Sequence, residues 1–419
     1  MNDLYIIIGN LILYVILGLF LIKLQASTIS KLIVTIWIFS AFASILFYAV
    51  FPSQYRFYSN LSIYALVFLF ICFTANLIPI SRLKNPKRLK GNRRLLYFLA
   101  LFICAIGILP FIGNSIYFLT HITTMNTFAD NYGEDVSVLS GFIGTLGRYT
   151  IYLRLFAPCL FFYFLRYYKK RWGVCVGLLC CSLNAIIANL NNGSRYIFVV
   201  DTLYIFCVYL YFRETIPQTI VRKTKVVGLS IFIVFVAVFT SISKAKNDDI
   251  TQENATEMSY SLYGGESFLN FSTLMWNKSK ETNGDNTFYI FKYLLGDYPS
   301  EHRNWTRLSR FSGVPANIFY TYIGDLYMDF GAVGALIIVV LMTLLLIFFV
   351  YKANKTSNIY YILWIGFFLR ILVSGFTYWP YLNGGPELVY TPLVILFMQI
   401  FDNFSKKKKK YACRNNYNI

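Results

Sequence analysis

Charge is scarce in this chain. Of its 419 residues only 14% are charged and 57% are hydrophobic, whereas a soluble domain is about a quarter charged. With a mean hydropathy of +0.55, the excess apolar surface has to face lipid. Histidine is nearly absent: His121 and His302 are too few for a histidine-rich metal site. Of the eight cysteines, Cys72, Cys104, Cys159, Cys175, Cys180, Cys181 and Cys207 lie in apolar runs and Cys413 in the C-terminal tail. The long polar segment has none. That excludes an outer disulfide framework and reads the thiols as small packing groups. There is no Walker G-x-x-x-x-G-K-[ST], no D-x-D, no H-E-x-x-H and no G-x-S-x-G. ATP drive is thereby excluded, and the energy for any reaction has to reside in the substrate. No basic residue precedes the first apolar run and no A-x-A-like site follows it, so the first span is expected to be retained.

What recurs instead is the apolar run of membrane length. A bilayer core needs about 20 apolar residues per helical span. Eleven stretches qualify: 4–22, 32–51, 61–80, 95–119, 142–165, 173–190, 196–212, 226–243, 331–351, 359–379 and 388–402. Lipid-facing backbone must satisfy its hydrogen bonds internally, which makes these helices. The strict alternation of a barrel strand is absent. The expected fold is all-α: a polytopic membrane protein, one integral domain over 1–419, with about eleven transmembrane helices and one large outer loop, 244–316.

A net charge of +19 would suggest nucleic acid in a soluble protein; here it reports topology. If the loop after the first span is cytoplasmic, 25 of the 38 Lys and Arg fall inside, including Arg82 to Arg94, Arg166 to Arg171 and Lys406 to Lys410. Only Glu214 and Asp402 join them among 19 acids. This places the N-terminus outside and the C-terminus inside, with no nucleic-acid partner.

The outer segment 244–316 is rich in aromatics. Met258 to Trp276 reads as an amphipathic helix on the membrane surface, broken at Gly264-Gly265. Asn283-Gly284-Asp285-Asn286 reads as a turn. Arg303, Arg307 and Arg310 are spaced to share one helical face. Guanidinium groups grip phosphate bidentately, so the cluster is either a phosphate site or is paired with acids and anionic lipid. Arg195, in the short outer turn Asn191-Asn192-Gly193-Ser194-Arg195, is either placed to meet a lipid-linked pyrophosphate or snorkels to the membrane interface. Arg154, Asp201 and Arg370 lie within spans, where an ion costs about 2.5–3.5 kcal/mol. They line a wet cavity or form a structural Arg–Asp pair. Arg148 is interfacial or cavity-lining. Glu387, closing the last outer turn, is a candidate base or a solvated acid, and His302 carries the same ambiguity.

Phe319-Tyr320-Thr321-Tyr322-Ile323-Gly324-Asp325-Leu326-Tyr327-Met328-Asp329-Phe330-Gly331-Ala332-Val333-Gly334 follows the long loop, and Gly193-Ser194-Arg195 sits upstream. With the eleven spans, these patches make the chain resemble the Wzy-type O-antigen polymerases. The Arg-x10-Gly pattern of some members is absent, since Arg303 meets Gly313 one residue early. The resemblance implies a glycosyltransferase of the bacterial inner membrane that polymerises undecaprenyl-pyrophosphate-linked oligosaccharide units at the periplasmic face. It implies no metal or nucleotide cofactor. It also implies work beside a flippase and a chain-length regulator. On that reading Arg195, Glu387 and His302 are the catalytic candidates. Arg148, Arg154, Arg303, Arg307, Arg310, Arg370 and Asp325 are candidates for binding pyrophosphate or glycan; Asp325 with Asp329 also reads as a structural pair. An O-antigen ligase and a lipid-linked-oligosaccharide flippase or other transporter are the alternatives. A flippase is expected to carry internal repeats and short loops, and neither is evident here.

Arg195→Ala is expected to abolish polymer at unchanged protein level, and Arg195→Lys to restore it only in part, because the bidentate grip is lost. A gel of the surface glycan checks both; a normal ladder in Arg195→Ala removes Arg195 from the site.

Overall fold

The structure, a computed structural model, describes residues 2–50, 60–121, 139–191, 196–230, 233, 264–299, 303–382 and 385–415. Its helices are α1 (Asn2–Lys23), α2 (Thr28–Val50), α3 (Ile63–Ser81), α4 (Arg93–His121), α5 (Gly141–Tyr152), α6 (Phe156–Leu165), α7 (Tyr168–Asn191), α8 (Tyr196–Phe212), α9 (218–230), α10 (264–270), α11 (Tyr289–Leu295), α12 (Trp305–Ser312), α13 (Thr321–Thr356), α14 (Ile359–Ser374) and α15 (Gly385–Asn415). Among the described residues there is no strand. Seven helices, α1 to α4, α7, α13 and α15, are long and apolar enough to cross a membrane. Large apolar side chains such as Phe98, Phe102, Leu341, Leu344, Phe397 and Phe401 point outward from them, as a lipid-facing surface requires.

The eleven expected spans do not all survive as single helices. The stretch 142–165 divides into α5 and α6. The break precedes Pro158, whose missing N–H costs nothing in the first turn of α6, and it leaves Arg154 on a turn. The stretch 359–379 stops at Ser374, where Thr377 donates both N–H (3.2 Å) and Oγ1–H (2.8 Å) to the Ser374 carbonyl. The stretch 226–243 falls largely outside the described residues.

The basic connections gather at one end of the bundle. Lys90 N–H donates to Ser357 O, and Ile359 N–H to Lys90 O, both at 2.9 Å. Lys84 N–H donates to Asn354 Oδ1 (3.0 Å), and Asn85 Nδ2 to Glu214 Oε1 (3.0 Å). Within the bundle α4 and α7 approach closely through reciprocal pairs. A Cβ on Gly107 would lie 2.5 Å from Cys181 Sγ, and one on Gly177 2.7 Å from Cys104 Sγ. These thiols pack as small side chains, matching small-residue contacts between membrane helices.

The segment expected on the membrane surface is inserted in the bundle instead. Residues 265–273 are buried throughout. Gly265 lets α10 lie on the backbone of α2, because a Cβ there would overlap Ser44 N. Ser40 Oγ donates to Gly264 O, and Ser44 Oγ to Gly265 O at 2.8 Å. Phe268 sits 5.7 Å from the rings of both Tyr14 and Trp37. A π-helical turn, Phe271–Met275, ends the insertion. The paired glycines therefore lie within a buried helical segment rather than break a surface one.

α13 is two segments in series. Thr321 to Asp329 are buried, and the helix breaks at Gly331, with φ +63° and ψ −170°. That region is open essentially to glycine alone. Gly331→Ala is expected to cost about 1–3 kcal/mol, read as a fall in melting temperature in detergent. Gly9→Ala, where a Cβ meets nothing within 4 Å, is the matched control and is expected to leave it unchanged.

Candidate functional site

Four ions share one buried pocket. Arg154 donates through Nε and Nη2 to Glu387 Oε2, each at 2.9 Å, and its Nη1 lies 3.9 Å from Asp201 Oδ2. Arg370 Nη2 reaches Asp201 Oδ1 at 3.0 Å, and Nη1 reaches Glu387 Oε1 at 3.3 Å. All four residues are buried. The quartet carries no net charge, and every ion has two counter-ions. It joins the α5–α6 turn, α8, α14 and α15. Asp201 lies five residues into α8 and Glu387 two into α15, so the quartet sits within about 8 Å of those helix ends at 1.5 Å per residue.

A second pair of acids builds the folded part of the excursion. Asp329 Oδ1 accepts from Asn286 N–H (2.9 Å) and from Thr282 Oγ1, and Oδ2 from Thr287 N–H (2.6 Å) and Thr287 Oγ1. Asp325 Oδ1 accepts from Asn286 Nδ2 (3.0 Å), and Oδ2 from Trp379 N–H (2.7 Å). One turn of α13 thus clamps the expected 283–286 turn, whose Asn283 and Gly284 both take positive φ. It also holds the chain after α14. Both carboxylates are saturated, which favours the structural reading of this pair.

Arg303 is the buried cation that meets no carboxylate among the described residues. Its Nη2 donates to Ala316 O at 2.8 Å, and its guanidinium carbon lies 3.5 Å from the Trp305 ring centroid. Nε and Nη1 are buried and have no hydrogen-bond partner among the described residues. Burial draws the group down to about 10, countered by Asp325 and Asp329, so it stays charged at neutral pH. Around it stand Tyr289 and Tyr298, whose rings lie 5.8 Å apart. Tyr289 Oη accepts from Gly385 N–H at 3.2 Å, which ties this pocket to the start of α15 and so to Glu387. The pocket combines an unsaturated cation with aromatic walls, a surface suited to an anion carried on a sugar. Among the described residues no group of His, Cys, Asp or Glu is placed to hold a metal.

The three loop arginines do not share a face. Asn304 caps α12, its Oδ1 accepting from Arg307 N–H at 2.9 Å. Arg303 therefore precedes the helix and turns inward. Arg307 lies 3.4 Å from Asp285 and 5.0 Å from the Tyr298 ring, and Arg310 is exposed. Arg148 is exposed on α5. Glu387 is not on a solvated turn: it lies in the first turn of α15, between two guanidinium groups. Arg195 and His302 lie outside the described residues.

The sequence reading passed over Glu266. It is buried in α10, and its carboxylate accepts from Asn270 Nδ2 at 2.8 Å. The alternation of Glu266, Asn270 and Thr273 with aromatics was the available signal. Compared with family models, curated proteins and solved structures, the chain matches none.

The quartet sets a stability expectation. Arg370→Met leaves two buried carboxylates facing one guanidinium and is expected to cost about 3–5 kcal/mol. Arg370→Met with Asp201→Leu leaves the Arg154–Glu387 pair balanced and is expected to regain most of that loss. Melting of the purified chain in detergent checks both; a double variant no better than the single one would show that neutrality is not what the pocket needs.

Proposed function

We propose that the chain is a glycosyltransferase that joins oligosaccharide units carried on a polyprenyl pyrophosphate, at the non-cytoplasmic face of a bacterial inner membrane. The observation that carries this reading is Arg303: a buried, charged guanidinium with two open N–H directions, roofed by Trp305. A departing pyrophosphate is an anion in a water-poor site, and fixed donors aimed at developing charge are the strongest single aid to such a step. Tyr289, Tyr298 and Trp305 offer flat faces for sugar rings. The lipid tail fits a bundle whose outer surface is apolar. The quartet is neutral and each of its ions meets two of opposite sign, so it favours a structural latch over the ion path of a transporter. Arg195 and His302 enter the proposal as further contacts from the adjoining outer turns, and the flippase and chain-length regulator as partners.

The test is a deletion read on a gel of surface glycan. Loss of the chain is expected to leave a single repeat unit on each acceptor; no repeat at all would point to a ligase or flippase, and an unaltered ladder would overturn the reading. Arg303→Ala is expected to match the deletion. Arg303→Lys is expected not to restore polymer, because the single nitrogen of an ammonium cannot span the separate positions from which Nε, Nη1 and Nη2 donate.

A further inference from the structure

Six carboxylates are buried among the described residues: Asp201, Glu266, Asp325, Asp329, Glu387 and Asp402. Five are committed. Asp201 and Glu387 are held by arginines, Asp402 by Lys406 at 2.6 Å, and Asp325 and Asp329 by the donors of the clamp. Glu266 is held on neither pattern: it is in no ion pair, and Asn270 is its only hydrogen-bond partner among the described residues.

Its setting is fixed. The Asn270 amide donates one N–H to Glu266 Oε1 and the other to Phe319 O at 3.0 Å. Ser267, beside it, donates to Phe376 O. α2 faces this helix with the hydroxyls of Ser40 and Ser44, and the residues after α12 face it with Tyr320, the titratable neighbour that senses both Glu266 and Asp325. No cation offsets its burial.

The same short wall holds Arg303. Arg303 is anchored on Ala316 O and Asn270 on Phe319 O, while Tyr320 Oη donates to Pro315 O at 2.8 Å. Three residues span at most about 11 Å when extended, so the two anchors lie within one sugar and a diphosphate of each other.

Resting on the glycosyltransferase reading, we infer that Glu266 is the proton-accepting carboxylate of the reaction. As the acceptor hydroxyl oxygen bonds to the anomeric carbon of the donor, its O–H bond breaks and the proton passes to Glu266. The bond from that carbon to the pyrophosphate oxygen breaks at the same centre. The electron pair leaves with the polyprenyl pyrophosphate, beside Arg303. The proton is then released to water. Burial holds the Glu266 carboxyl up at about 7, against the smaller opposing bond from Asn270, where a general base works best at neutral pH.

Two experiments test this on the full chain. In membranes supplied with lipid-linked repeat units, Glu266→Gln, which keeps the shape and the Asn270 contact, is expected to slow polymer formation by about 10²-fold or more while the variant still binds the lipid-linked unit. Glu266→Asp is expected to recover part of the rate. Normal polymer from Glu266→Gln, with none from the deletion, overturns the base and leaves the glycosyltransferase reading intact. Normal polymer from the deletion overturns that reading itself. The second experiment needs no variant. Dicyclohexylcarbodiimide attacks protonated carboxyls in apolar surroundings. Purified chain is expected to be modified at Glu266 at pH 6, about 10²-fold less at pH 9, and not at Glu387. No modification of Glu266 at pH 6, or equal modification of both, overturns the inference even if Glu266→Gln fails to fold.

Discussion

Two guanidinium groups and two carboxylates, dried and facing one another, hold the end of the bundle that carries the candidate site. Removing an ion from water costs several kcal/mol after relaxation, and a buried pair recovers that only when its geometry is complete. Here each ion meets two of opposite sign. The consequence is mechanical. Residues as distant in sequence as Arg154 and Glu387 are fixed at one point, and the chain between α14 and α15 is anchored from below. Trp379, in that connection, offers the N–H that Asp325 accepts. The neutral quartet is therefore the footing on which the excursion is built.

From that footing the excursion folds by a second device. Asp325 and Asp329, one helical turn apart, gather the donors of residues 282 to 287 and of Trp379. Gly331 ends that buried turn by taking a conformation other residues avoid, so the lower part of α13 can run on as a span. Residues 315 to 320 form a wall whose carbonyls at Ala316 and Phe319 meet Arg303 and Asn270.

Seven of the eleven expected spans were legible in the sequence, because hydropathy over about 20 residues is a sum that single substitutions barely change. The break between α5 and α6 was not, since apolar residues run through it and only Pro158 marks it. Arg154, Asp201 and Arg370 were legible one by one, as ions too costly to stand alone in a span. Their fourth member was not. Glu387 follows Gly-Gly-Pro and reads as a turn residue, and nothing local tells that two arginines arrive from distant helices. Arg303 was found for its charge but misplaced on a helix; the cap signal of Asn304 was there to be read. Glu266 escaped because seven helical residues are too few for a hydropathy window, and because burial of a polar helix depends on the hydroxyls of Ser40 and Ser44, far away in sequence.

The arginines of the bundle divide by what an arriving anion would have to displace. Arg154 and Arg370 already hold carboxylates. A phosphate reaching either one must free a buried acid, and a lone buried charge is among the most costly defects a protein can carry. Arg303 holds a neutral carbonyl and an aromatic face, and keeps two N–H groups whose burial without partners is itself unfavourable. An anion there satisfies donors and breaks nothing. The same comparison separates the acids. Glu387 is held by two guanidinium groups, whereas Glu266 meets no cation among the described residues. Both choices, one cation open and one acid unpaired, fall on the wall between α12 and α13.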